Sequence, residues 1–242
     1  MKRICRANAF TLIELLVVLL LLMVLTVILL PSLRRAKEAG RTIVCKSLMR
    51  NYSLAHYSYF YETDRFIPIS INDPDMRPWH TFDEFRSRVG LGPLSQEYKD
   101  RRIGEFQEYK PGYPKKYICP SARYALNHPE DNLYSMERSY GLNAHIYFAG
   151  DYVRDRMYKQ SARIICMADA LDWWISYWQC DIYTQTGEEW LGFETYGTAA
   201  YRHPDDTANV SFWDGSVKRM NAEQLKERLY EWMMLEEHRR AQ

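Results

Sequence analysis

The hydrophobic residues of this chain are concentrated in one uninterrupted run near its start, from Phe10 to Leu30. At a rise of about 1.5 Å per residue, this run forms a helix about 31 Å long, which matches the roughly 30 Å hydrocarbon core of a bilayer. The pattern therefore predicts one membrane-spanning helix. One of its few polar interruptions is a carboxylate, Glu14.

The helix is predicted to continue beyond the apolar run. Pro31 ends that run and is expected to kink or locally melt the helix, because proline lacks the N–H and clashes with the preceding turn. Farther on, apolar residues recur at intervals of three or four, which predicts an amphipathic helix to about Glu62. The predicted buried face consists of Val44, Leu48, Tyr52, Ala55 and Tyr59.

The rest of the chain has short apolar segments separated by turn formers, which predicts a small α+β domain. Asp214-Gly215 between two strand-like runs favours a type I′ hairpin. Asn221 and Gln224 occupy capping-box positions at the start of the last helix. The predicted elements are a helix over 81–89, strands over 140–148 and 163–168, a hairpin over 208–220 and a helix over 221–239. We expect the long N-terminal helix to lie against a small antiparallel sheet.

The carboxylate of Glu14 and the basic segment before it point to a special N-terminus. An acid inside a membrane helix costs roughly 3 kcal/mol on insertion scales, so Glu14 predicts a cationic partner. Residues 1–9 contain three basic residues and no acid. A cleaved secretion signal would have a shorter apolar stretch followed by a small-residue site. Here the small residue, Ala9, lies before the apolar run.

The ten residues from Ala9 to Val18 resemble the processing site of type IV prepilins and type II secretion pseudopilins. The resemblance implies that prepilin peptidase cuts between Ala9 and Phe10 and that the new Phe10 amine is methylated. It also implies that Glu14 contacts this amine on a neighbouring subunit and sets the axial register during assembly. The family usually has Gly before the cut, where this chain has Ala9. Pilins also have a proline at the distance of Pro31 from the mature start.

The resemblance implies a pilin-like fold and a structural role. Residues 1–9 are a leader that is removed, 10–30 a transmembrane and assembly helix, 31–62 its amphipathic continuation, and 63–242 an exported head. The protein is expected to be a single-pass protein of the bacterial inner membrane and later a filament subunit in the periplasm or at the cell surface. Its expected partners are pilin or pseudopilin subunits, prepilin peptidase, an inner-membrane assembly platform and the lipid bilayer.

A second resemblance concerns the C-terminal part. Many bacterial proteins with prepilin-type starts end in His, nine residues and Asp-Gly; here His203 precedes Asp214-Gly215 with a spacing of ten, and Asn209 lies between them. We interpret Asp214 as a turn residue and His203 as a hydrogen-bonding residue that ties its loop to the hairpin. The alternative is an acid–base pair or half of a metal site. The sequence has no HExxH, Gly-x-Ser-x-Gly or P-loop motif.

Four cysteines remain after the leader: Cys45, Cys119, Cys166 and Cys180. Export permits disulfides, and four cysteines allow three pairings that spacing does not distinguish. The segments around Cys45 and Cys119 both resemble the same group of proteins, and this resemblance favours a disulfide between them. Cys166 lies in an apolar strand, where a buried thiol is expected.

Charge argues against one function of the head, whereas calcium binding and a different function of the anchored head stay open as alternatives. Beyond residue 50 there are 23 Lys and Arg against 29 Asp and Glu, and this mildly acidic head argues against nonspecific nucleic-acid binding. No cofactor is predicted. Calcium is an alternative, because some pseudopilin heads hold it, but the sequence has no EF-hand spacing. The candidate calcium ligands are Asp169, Asp172, Asp205, Asp206 and Asp214. The alternative function is an envelope enzyme or binding protein that uses the helix only as an anchor.

Overall fold

The structure, a computed structural model, divides the chain into two compact units, Met1–Gly40 and Arg41–Gln242. The described residues are 11–65, 67, 78–94, 112–128, 134–145, 160–183, 187–189 and 191–240.

The described residues form four α-helices, of which three were predicted and the short third one was not. They are α1 (Leu12–Thr63), α2 (Asp83–Arg88), α3 (Arg123–Asn127) and α4 (Ala222–Arg240). Helix α1 ends within one residue of the predicted Glu62, and α2 lies inside the predicted helix over 81–89. The α1 assignment runs through Pro31 without a break, so the helix is not melted there. The kink at Pro31 stays a prediction.

The first unit presents its apolar residues to the surroundings. Every side chain from Thr11 to Lys37 is exposed. Among the described residues, α1 is the one helix that is long and apolar enough to cross a membrane. An apolar helix with no protein packed on it within its unit is what a lipid-facing segment requires. The observation is consistent with the predicted inner-membrane anchor.

The second unit contains a five-stranded sheet. Its strands are β3 (Tyr140–Asn143), β4 (Ile165–Asp169), β5 (Trp174–Ile175), β6 (Ala208–Phe212) and β7 (Val217–Met220), and β1 (Gly112–Tyr113) pairs with β2 (Tyr134–Ser135) in a separate ribbon. The order is β5-β3-β4-β6-β7. All neighbours are antiparallel except β3 and β5, which are parallel. The predicted α+β fold with a long helix and a mainly antiparallel sheet is confirmed. The predicted continuation of the first strand beyond residue 145 lies outside the described residues.

Both faces of the central strands are buried, because a helix covers each one. Val210 and Phe212 of β6 lie in one apolar cluster with Leu225 and Leu229 of α4. On the opposite face, the Ser211 hydroxyl accepts a 2.6 Å hydrogen bond from Ser53 of α1. This alternation follows from the period of two along a strand. Strands covered on both faces lose the simple apolar–polar alternation, as β4 and β6 do.

The buried face of α1 differs from the predicted one. Tyr52 and Ala55 are buried as expected, but Val44 is 50 % exposed. The predicted stripe counted apolar residues only, whereas the helix buries polar side chains that have packing or hydrogen-bonding partners on the head. The residues of α1 that are buried are Thr42, Cys45, Met49, Tyr52, Ser53, Ala55, His56 and Phe60.

The hairpin and the last helix confirm two local predictions and correct one detail. Strands β6 and β7 pair as predicted, but the turn is not type I′, because Gly215 has a positive φ of 79° and Asp214 does not. Asp214 instead accepts a hydrogen bond from the Ser216 N–H at 2.9 Å, so its side chain stabilises the turn. At α4, Asn221 and Gln224 bond to each other's backbone N–H at 2.9 and 3.1 Å, as a capping box does.

Candidate functional site

Glu14, in the first turn of α1, has its hydrogen-bonding partners within its own chain. Its Oε2 atom accepts hydrogen bonds from the N–H and the hydroxyl of Thr11, each at 2.8 Å. The Glu14 N–H donates to the Thr11 hydroxyl at 3.2 Å. This reciprocal pattern is a capping box, which satisfies N–H groups that have no partner inside the helix.

The capping box adds a second role for Glu14 that the sequence analysis missed. The signal was present, because Thr-x-x-Glu before an apolar run is the sequence signature of this motif. The carboxylate therefore helps to begin α1 before any contact with another subunit. It still carries a charge with free acceptor capacity, since a carboxylate offers about four lone-pair sites and Thr11 uses two.

A second group of chemically active side chains lies inside the second unit. Cys45 comes from α1, Asp169 ends β4, and His203 precedes β6 in a segment closed by a bridge to Thr207. Cys119 lies in the loop before α3, where its N–H donates to the Ser139 hydroxyl at 2.8 Å. We call Cys45, Cys119, Asp169 and His203 the Cys₂AspHis cluster.

The four side chains of the Cys₂AspHis cluster converge on one point. Their potential ligand atoms all lie within 4.8 Å of one another. The Cys45 thiol donates to Asp169 Oδ1 at 3.0 Å, and His203 Nε2 lies 3.0 Å from Asp169 Oδ2 and 3.8 Å from Cys119 Sγ. All four residues are buried, with at most 4 % of any one exposed.

A second layer of groups holds these side chains in place. His203 Nδ1 lies 3.2 Å from the Thr42 hydroxyl, which directs the opposite ring nitrogen toward the cluster. Asp169 Oδ2 also accepts a 2.6 Å hydrogen bond from the Asn209 N–H. The Tyr140 hydroxyl points at Cys45 Sγ from 3.7 Å. Each contact comes from a different element, so the arrangement depends on the tertiary fold.

The electrostatics of the cluster favour charged groups despite its burial. Burial disfavours the imidazolium of His203, but its hydrogen bonds to Asp169 and Cys119 outweigh this and raise its pKa to about 9. Burial likewise disfavours a thiolate at Cys119, but its interactions with Cys45 and His203 lower its pKa to about 6. Burial raises the pKa of Cys45 well above its usual value.

The cluster does not have the geometry of a cysteine-dependent hydrolase. In such enzymes the acid orients the second ring nitrogen of the histidine, leaving the first for the nucleophile. Here Asp169 and Cys119 both approach His203 Nε2, and Thr42 occupies the Nδ1 side. Burial of the thiols also keeps a substrate from them. This geometry disfavours the acid–base alternative for His203.

The N-terminal part of the chain matches a known protein family. Residues 4–30 match the family model described as the prokaryotic N-terminal methylation motif. The chain has a prepilin-type N-terminus. Searches of curated proteins and of solved structures each found no match. The matched segment supports a precursor of the type IV pilin or pseudopilin kind, and it contains the capping box of Glu14.

The structure brings together several residues that the sequence analysis singled out. Cys45, Cys119 and His203 belong to the Cys₂AspHis cluster, and Asn209 contacts it through its backbone. The interpretation of His203 needs correction, because its side chain contacts α1 and β4 instead of tying its loop to the hairpin. Asp214 and Gly215 form the hairpin turn. Ala9 and Phe10 lie outside the described residues, so cleavage and methylation stay predictions.

The predicted disulfide between Cys45 and Cys119 is not formed, and all four described cysteines are free thiols. The pairing was right about proximity, because the two Sγ atoms lie within 4.8 Å. It was wrong about the bond, because each thiol has another partner: Asp169 for Cys45 and His203 for Cys119. Cys166 is a buried thiol in β4, as predicted.

The five aspartates considered for calcium do not form one group in the described part of the chain. Asp169 faces thiols and an imidazole, and Asp172 accepts from the Gly197 N–H and lies 3.7 Å from Arg138. Burial raises the pKa of Asp172 to about 7, with Arg138 opposing the rise. Asp205 and Asp206 have positive φ in an exposed turn. Calcium binding stays an untested hypothesis.

Proposed function

We propose that this protein is a structural subunit, a pseudopilin or minor pilin, of a type II secretion or type IV pilus-like filament. The observation that carries the proposal is the prepilin-type motif over residues 4–30, continuous with an exposed apolar helix. In this proposal prepilin peptidase removes residues 1–9, and the mature chain is stored in the inner membrane with its head outside the cytoplasm.

Assembly then depends on the N-terminus of α1. The amine of Phe10, freed by cleavage, meets the Glu14 carboxylate of a neighbouring subunit, and an assembly platform extracts the subunit from the bilayer. A carboxylate in hydrocarbon is costly, and pairing it with a cation stabilises the assembled state over the stored one. Other pilin or pseudopilin subunits and the lipid bilayer are the remaining partners.

Cleavage tests the processing step. Co-expression of the full chain with a prepilin peptidase is expected to remove Met1–Ala9 and leave a methylated Phe10 at the start. Intact-mass measurement and N-terminal peptide mapping detect both changes. An uncut chain would contradict the proposal. It would favour the alternative that the helix serves only as an anchor, which hydrolytic activity or ligand binding by the head would then support.

A set of three variants separates the charge of Glu14 from its capping role. Glu14→Gln keeps an acceptor for the capping box but removes the charge, since Gln serves this position too. Thr11→Ala weakens the capping box and keeps the charge. If the carboxylate sets the register, Glu14→Gln and Glu14→Ala are cleaved but enter filaments at least about tenfold less than wild type, a difference of about 1.4 kcal/mol. Thr11→Ala is expected to assemble.

The measurement is the fraction of mature subunit in sheared filaments, compared with the fraction left in the membrane. Peptide mapping of the membrane fraction verifies cleavage of every variant. Normal assembly of Glu14→Gln together with failure of Thr11→Ala would assign Glu14 a capping role and contradict the register role.

A further inference from the structure

The Cys₂AspHis cluster has a composition that a purely structural hydrogen-bonding role does not require. Two thiols, a carboxylate and an imidazole are the side chains that bind transition metals in proteins. They come from four separate parts of the chain and converge in an interior where unpaired charge is costly. Within the described part of the head, the buried thiols of Cys166 and Cys180 do not belong to a group of at least three potential metal ligands.

The spacing of the ligand atoms fits a tetrahedral ion. Zinc binds sulfur at about 2.3 Å and nitrogen or oxygen at about 2.0–2.2 Å, which places neighbouring ligand atoms about 3.3–3.8 Å apart. Cys45 Sγ lies 3.0 Å from Asp169 Oδ1, and Cys119 Sγ lies 3.8 Å from His203 Nε2. With one ligand atom taken from each of the four residues, none of the distances exceeds 4.8 Å. Shifts of at most about 1 Å bring them to the expected values.

We propose that the Cys₂AspHis cluster binds one Zn²⁺ ion as a closed structural site that fastens α1 to the sheet. All four positions come from the protein, so no position remains for water or substrate, as in structural and unlike catalytic zinc sites. Two thiolates and an imidazole are poor ligands for calcium or magnesium, which prefer oxygen. Loading the site displaces to solvent the Nε2 proton of His203 and any proton that the two thiols still carry.

The surroundings of the cluster match those of a metal site. With zinc on Nε2, the His203 ring carries its proton on Nδ1, which lies 3.2 Å from the Thr42 hydroxyl and donates to it. Asp169 binds through Oδ1 while Oδ2 is held by the Asn209 N–H. Such second-layer hydrogen bonds orient ligands and fix the tautomer of a ligating histidine. The buried Arg202 lies close enough to interact with the negative charges of Cys119 and Asp169.

Metal content of the full chain tests the proposal. The wild-type chain, purified in detergent micelles without chelator, is expected to contain about one zinc per chain by elemental mass spectrometry. Cys119→Ser and His203→Gln are expected to fall at least about tenfold below this. The matched control is Cys180→Ser, because Cys180 is also a buried thiol but lies outside the cluster and donates to the Tyr177 carbonyl. It is expected to retain zinc.

Cobalt substitution keeps the test valid if a ligand variant fails to fold. The wild-type chain, stripped with a chelator and reloaded with Co²⁺, is expected to show the intense visible bands of a tetrahedral ion and a sulfur-to-metal charge-transfer band. Removing the metal is expected to lower the melting temperature of the head, and adding Zn²⁺ back is expected to restore it.

Several results would overturn the proposal. They are wild-type chain without zinc and without cobalt bands, equal zinc in Cys119→Ser and wild type, stoichiometric copper or iron in place of zinc, and a Cys45–Cys119 disulfide in the exported protein. None of these measurements depends on cleavage or filament assembly. Failure of the zinc site and failure of the pilin-like function are therefore distinguishable.

Discussion

At the residue scale, the head depends on polar side chains buried in specific surroundings. His56 on α1 is fully buried among the rings of Trp79, Phe85 and Trp213, with centroid distances of 5.4, 5.3 and 6.3 Å. Among the described residues, neither of its ring nitrogens has a hydrogen-bond partner. Burial therefore lowers the pKa of His56 to about 3 from its usual 6.5.

His56 predicts a pH dependence of stability. Because its pKa is lower in the folded than in the unfolded state, the unfolded chain takes up the proton first as the pH falls below 6.5. The stability of the wild type relative to His56→Phe is expected to decrease by about 2 kcal/mol between pH 7 and pH 5. The measurement is denaturant unfolding of both full-length chains in detergent at the two pH values, followed by tryptophan fluorescence.

The variant is itself the control in this comparison. Carboxylates and other histidines titrate in both chains, so their effects cancel in the difference. All seven tryptophans lie after residue 78, so the signal reports the head. Parallel loss of stability in wild type and His56→Phe would contradict the assignment of His56 as a buried neutral histidine.

At the element scale, close approach of backbones limits which residues the sheet accepts. Gly141 lies in β3 between β4 and β5. A Cβ atom there would lie 2.8 Å from Ala170 Cβ, from the Asp172 carbonyl oxygen and from the Trp174 carbonyl carbon. Two of these are backbone atoms of the neighbouring segment, Asp172 to Trp174, and a side-chain rotation cannot move them aside.

Gly141→Ala is expected to destabilise the head by about 1–3 kcal/mol, the usual cost of forcing extra volume into a packed site. Gly92→Ala is the matched control, because a Cβ at Gly92 meets nothing within 4 Å. Its effect is expected to stay within about 0.5 kcal/mol. Denaturant midpoints of the two variants, measured side by side, give the comparison. Equal stabilities of Gly141→Ala and Gly92→Ala would show that the backbone around Gly141 shifts to accommodate a methyl group, and would contradict this account of its packing.

At the scale of the whole molecule, apolar exposure differs sharply between the two units. From Leu12 to Leu33 every apolar side chain is exposed. In the described part of Arg41–Gln242, the exposed large apolar side chains are few and scattered, as on ordinary soluble domains. They are Ile43, Val44, Leu54, Tyr61, Trp178, Leu191 and Tyr230.

This difference predicts that the second unit is soluble once it is separated from the first. A site-specific protease sequence inserted after Gly40 of the full chain allows cleavage of the purified protein. After cleavage and removal of detergent, the fragment from Arg41 onward is expected to remain in solution with unchanged tryptophan emission. Uncut protein, treated identically, is the control and is expected to precipitate. Precipitation of the released fragment would show that its stability or solubility requires the N-terminal unit.

Local patterns in the sequence were sufficient for much of the fold. The length of the apolar run, the capping box of Asn221 and Gln224, and the Asp214-Gly215 turn each depend on neighbours a few residues apart. The prepilin-type N-terminus is local as well, since it lies within residues 4–30. For this reason α1, α4 and the β6–β7 hairpin were predictable in kind and close to their observed bounds, although the turn type was not.

The sequence by itself determined the membrane-length helix and the α+β class, because both follow from composition and short-range periodicity. It also determined the prepilin-type start, because residues 4–30 match a known family motif. Only the tertiary structure decided which face of α1 is buried and which side chains surround Asp169. Cys45 and Cys119 are separated by more than 70 residues, and Asp169 and His203 lie farther along the chain. Such contacts depend on how strands pair and how helices cover them, which adjacent residues do not specify.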